Sequence, residues 1–165
     1  MTRAAKKSTR VAPRPREHLE TKNCPVAEIA PQIDGIWREH DRIDAIGREQ
    51  GKSDPHQQQL MSRLFEASEA LKDVASFRRA VSIEGALFQI SLAYDCLNDL
   101  EKNKFDEEAI NEMLHRAKCL LFSAGAVIRR QSKADSGRRY MPVDSDPLTI
   151  FDVATGVPSP YRKAA

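Results

Sequence analysis

Residues 54–75, DPHQQQLMSRLFEASEALKDVA, decide the fold class. Asp54 is a short polar acceptor placed before Pro55, whose missing N–H costs nothing at the first helical position. From there Leu60, Leu64, Ala67, Leu71 and Val74 recur at alternating spacings of four and three, the period of one helix face. Pro55 also opens a long stretch without proline. Residues 56–141 contain none, whereas Pro13, Pro15, Pro25 and Pro31 lie before it and Pro142, Pro147, Pro158 and Pro160 after it. Proline removes a backbone donor and clashes inside a helix, so this distribution marks a helical core between two irregular ends.

Upstream, a helix is expected from about Val26 to Gln50, with the stripe Ile29, Ile33, Ile36 and Ile43, Trp37 on its flank, and Gly51 to end it. Downstream, Ser82 is the expected N-cap of a third helix. Ile83, Leu87, Ile90, Tyr94 and Leu97 form its main face, and Val81, Phe88 and Leu92 form a second stripe on the other side. Because Ser76 to Val81 holds neither glycine nor proline, helices two and three read equally as separate elements or as one bent helix. Asp106, followed by Glu107 and Glu108, begins a fourth helix whose expected core face is Ile110, Leu114, Ala117, Leu121, Ala124 and Ile128. The fold class expected is all-α: an antiparallel bundle of about four helices over residues 24–130. It is preceded by a disordered basic tail at 1–23 and followed by a mostly irregular tail at 131–165, where Leu148, Ile150 and Phe151 suggest docking on the bundle.

A chain of 165 residues, 41% apolar and 30% charged, is sized for one core. The longest nearly apolar stretch, 120–128, is far short of the roughly 18 residues a membrane span needs. Cys24, Cys96 and Cys119 form neither a paired framework nor a zinc spacing, so a reducing cytoplasm is the expected compartment. The net charge of +2 hides three unlike segments: +6 over residues 1–16, −7 over 17–128 and +3 over 129–165. Arg3, Lys6, Lys7, Arg10, Arg14 and Arg16 in the head, with Arg129, Arg130, Arg138 and Arg139 near the end of helix four, could hold nucleic acid weakly through its phosphates. No aromatic side chain interleaves the head, so base stacking is not implied.

Walker, GxGxxG, GxSxG, HExxH and EF-hand patterns do not occur. Two constellations invite a chemical reading. Glu112 and His115 have the spacing of a bundle metal site, with Glu108 and Cys119 a turn to either side, but helical geometry turns all four away from the expected core face. His40 falls within the apolar stripe of helix one with Asp44 four residues on, a pair that could orient an imidazole, yet no nucleophile or oxyanion turn accompanies it. No metal and no cofactor are therefore expected, and the leading expectation is a non-enzymatic interaction or regulatory module. A helix apolar on two sides must be covered on two sides, either by a third layer of the same chain such as Leu148 to Phe151 or by a partner, another protein or a second copy, which would meet Phe65, Phe88 and Leu92. Nucleic-acid association is the alternative; a small helical enzyme around His40 and Asp44 is the remote one.

The segment Ala80-Val81-Ser82-Ile83-Glu84-Gly85-Ala86-Leu87-Phe88-Gln89 resembles one found in small helical proteins of proteobacteria, an Ala-x-Ser/Thr-x-x-Gly-x-x-x-Lys/Gln pattern after a first helix pair. That group has no assigned activity and lends no functional residue. The resemblance implies a bacterial, cytoplasmic protein, with an association with mobile elements, and supports a helix break at 76–82. In physical terms Gly85 would let another helix come close within the first turn of helix three.

Overall fold

A computed structural model describes residues 24–51, 54–132 and 146–149. Four helices follow one another: α1 Pro25–Gln50, α2 Pro55–Ser76, α3 Ile83–Lys102 and α4 Glu107–Ser132, with no strand among the described residues. α1 pairs with α2 and α3 pairs with α4 as antiparallel hairpins. α1 lies on α3, α2 reaches α4 over a shorter stretch, and α1 and α4 sit diagonally across the bundle.

The helix ends follow the sequence signals. Asp54 caps α2 by accepting from the His56 N–H at 3.2 Å, and Asp106 caps α4 by accepting from the Ala109 N–H at 2.8 Å. Gly51 adopts φ 63°, the left-handed geometry that closes α1 and favours glycine. Pro31 lies inside α1 on an exposed position, where the helix runs on without one of its backbone bonds.

The break between α2 and α3 is real, and side chains supply what glycine or proline would otherwise provide. The buried Gln89 amide donates to the Ala75 carbonyl at 2.9 Å and to the Arg78 carbonyl at 2.7 Å, satisfying acceptors freed where α2 ends. The Ala80 N–H donates to the buried Ser123 hydroxyl at 2.8 Å. Ser82 caps α3 by accepting from the Gly85 N–H at 3.2 Å. A Cβ on Gly85 would stand 2.6 Å from the Cys24 sulfur, so the start of α1 passes over the first turn of α3 at a distance only glycine allows. Residues 146–149 dock here too. Leu148 is fully buried, and Asp146 pairs with Arg79 at 2.6 Å, both side chains almost completely enclosed. Ile150 and Phe151 lie outside the described residues, as do 1–23 and 133–145.

The faces of three helices differ from expectation. α1 buries Ile29, Ile33 and Ile43 as its pattern requires. In α2 the innermost residues are Ser68, Ala75 and Ser76, while Leu60 and Val74 are exposed. α3 buries Gly85, Ala86, Gln89, Leu92, Ala93 and Cys96; its expected main face is turned out, with Leu87 58% and Tyr94 71% exposed. In α4, Ala117 and Ala124 are buried with Cys119, Leu120, Ser123 and Val127, whereas Ile110, Leu114, Leu121 and Ile128 are not. The reason is the α3–α4 seam. Ala86 and Ala93 on one helix, and Ala117 and Ala124 on the other, are each seven residues apart, and side chains this small let two backbones approach along their whole length.

A candidate docking cleft between α2, α3 and α4

Where α2 and α4 meet only briefly, the bundle opens into a cleft of about 480 Å³. Phe65, Leu92, Phe105 and Met113 give it apolar walls. Lys72 and Arg116, each mostly buried, bring two cations to its floor. Lys72 bonds Asp95 at 2.8 Å and Glu69 at 2.9 Å. Burial alone would lower its pKa, but these two carboxylates outweigh that and raise it. Arg116 contacts Asp73 at 2.6 Å, with Glu69 and Glu112 each at 3.9 Å. Asp99 also lines the cleft, and its carboxylate has no ion-pair partner among the described residues. The cleft thus combines apolar walls, an internally compensated charge network and one carboxylate left over.

The three expected interface residues are separated by this architecture. Phe65, 50% exposed, and Leu92 share the cleft, with Phe65 edge-on to Trp37 at 6.4 Å between ring centroids. Leu92 is only 7% exposed and belongs to the core cluster, and Phe88 packs against that cluster instead of facing a partner. Of the second stripe of α3, Phe88 and Leu92 are therefore covered from within the chain, by α1, α2 and α4, whereas Val81 is 52% exposed. Sequence reasoning missed the polar members of the cleft, Lys72, Asp95, Asp99 and Arg116. The available signal was positional: Lys72 and Arg116 sit one residue from core positions Leu71 and Ala117, where a charged group can be drawn under its neighbours.

The other constellations do not assemble. His40 lies edge-on to Trp37, 5.2 Å between centroids, and its nearest carboxylate is Asp41 at 3.7 Å; Asp44 is held instead by Arg48 at 2.6 Å. Cys119 does not face solvent as expected but is fully buried. Burial, with Asp146 nearby, pushes its thiol up to about 11. His115 lies 3.7 Å from that sulfur while Glu112 turns to Arg116, and among the described residues no three metal-ligand side chains converge. Burial likewise raises the Cys96 thiol. At Cys24 burial acts in the same sense but is overcome by hydrogen bonds, chiefly from the Val81 N–H, so this thiol is lowered. All three cysteines are free.

Of the basic residues, Arg129 and Arg130 occupy the last turn of α4, where they complement the helix dipole. Arg3, Lys6, Lys7, Arg10, Arg14, Arg16, Arg138 and Arg139 lie outside the described residues. No helix among those described is long and apolar enough to cross a membrane. No family model, curated protein or solved structure matches this chain.

Proposed function

We propose that this protein is a non-enzymatic interaction module that receives an amphipathic, basic segment of a partner protein in the α2–α3–α4 cleft. The observation that carries the reading is the joint presence, on one cleft, of the half-exposed Phe65 and the unpaired carboxylate of Asp99. A helical segment with an apolar face would lay it against Phe65, Leu92, Phe105 and Met113, the manner in which amphipathic helices enter grooves. A lysine or arginine on its edge would meet Asp99. The lining carries three acids against two bases, and residues 17–128 as a whole carry −7, so a basic segment is also drawn in from a distance. Three buried free thiols support a reducing, cytoplasmic setting.

The test is titration calorimetry with a synthetic Leu/Lys amphipathic helical peptide as the probe. Phe65→Asp and Asp99→Lys are both expected to weaken binding about tenfold or more, equivalent to about 1.4 kcal/mol each. Unchanged affinity in both variants would overturn the assignment. Both positions are accessible in the fold, so neither change should unfold the bundle.

A further inference from the structure

The outward face of the α3–α4 hairpin is a second, separate surface. Leu87, Tyr94 and Leu97 on α3, and Ile110, Leu114, Leu121 and Ile128 on α4, are all exposed. At about 100° per residue each set forms a single stripe, and each stripe borders the flank by which its helix touches the other. Because the helices run antiparallel, the two stripes lie side by side on one outer face, straddling the alanine seam.

Two features say what covers this face. The first is its period. With the part-buried Ile83 and Ile90, the α3 positions alternate spacings of four and three. So do those of α4 once Ala117 and Ala124 are included. This is the repeat by which helices pack along helices, and both members of the hairpin keep it. The second is its size and rim. α3 has 20 residues and so is about 30 Å long; two helices side by side span about 20 Å, a projected footprint of order 600 Å². That outline is of the same order as the roughly 800 Å² per partner of a stable interface. From Ile83 to Leu97 on α3 and from Ile110 to Ile128 on α4 no stripe position is charged; charges of both signs stand around them, Glu84, Glu101 and Lys102 on α3 and Glu107, Lys118 and Arg129 on α4.

We infer that a second copy of this chain packs on the outer α3–α4 face, giving a two-fold dimer whose interface is a four-helix layer of two α3–α4 hairpins. A two-fold interface uses the same patch on both copies, and this patch is suited to it. When α3 of one copy lies over α4 of the other, the uncharged stripes meet at the centre and the mixed charges around them stay at the edge. The assignment is independent of the cleft, which opens on the other flank of α3.

Sedimentation equilibrium on the full chain, over about a hundredfold range of concentration, tests it. The native protein is expected to be a dimer whose melting temperature rises with concentration. Tyr94→Lys and Leu121→Lys should each raise the dimer dissociation constant at least tenfold, and together should leave a monomer of unchanged helical content by circular dichroism. The Tyr94 side chain is already mostly in solvent, so that single variant cannot act by emptying the core. Phe65→Asp should leave the dimer intact. A native protein that stays monomeric throughout, a dimer indifferent to both lysine variants, or a dimer broken only by Phe65→Asp would each overturn the inference.

Discussion

The junction between α2 and α3 and the cleft between α2 and α4 both draw polar groups inward, but to opposite ends. At the junction the polar side chains are enclosed, and each hydrogen-bonds a fixed neighbour: Gln89 to two carbonyls, Ser123 to an amide, Arg79 to Asp146. In the cleft the charges remain partly hydrated, compensate one another in a network, and leave Asp99 over. Enclosed polar groups that bond fixed backbone neighbours specify one backbone path, since any alternative strands them. Half-hydrated ones cost little to rearrange, which suits a surface that must accept something from outside.

The sharpest way to break this contrast is at the Arg79–Asp146 pair. Arg79→Ala should destabilise the fold by about 3–5 kcal/mol in denaturant titration, because the Asp146 carboxylate would be left buried without the guanidinium that pairs with it. Gln89→Ala strands two carbonyls and should cost about 2–3 kcal/mol by the same measurement. Gly85→Ala forces a methyl group to within 2.6 Å of the Cys24 sulfur and should cost about 1–3 kcal/mol, relieved in part by Cys24→Ala. A pH series sharpens the picture further. The Cys119 thiol is raised in the fold from 9.0 to about 11, so the unfolded chain loses this proton first. Stability present below pH 9 should therefore fall as pH rises towards 11, and Cys119→Ala should flatten that slope. The smallest effect belongs to the cleft. Asp99→Lys should shift stability by less than about 1 kcal/mol while weakening the binding of a basic peptide about tenfold or more.

Helix existence and ends were legible because caps are local chemistry: Asp54-Pro55, Gly51, Ser82 and Asp106 each act on backbone groups within four residues. The close passage at Gly85 was legible too, as an absent side chain, and of the apolar trio Leu148, Ile150 and Phe151 the one described member, Leu148, is buried. The faces of α3 and α4 were not. Periodicity ranks stripes by bulk, so Leu87, Tyr94, Leu121 and Ile128 outscored the alanines, whereas the seam is decided by how near two backbones can come. Half of the cleft followed the same logic. Phe65 stood out on its helix, but the convergence of Lys72, Asp95 and Arg116 depends on the offset at which α2 crosses its neighbours, and a single helix pattern holds no information about that.

Asp146 and Leu148 carry a temporal consequence. They help close the junction at which α2 gives way to α3, yet they are synthesised after all four helices, and Asp146 bonds a residue made 67 positions earlier. Until they arrive, Arg79 lacks its bond to Asp146 and the socket of Leu148 stands open to water. A chain released early would keep the bonds of Gln89 and Ser123 but lack the cover of Leu148, and would present that defect to proteases.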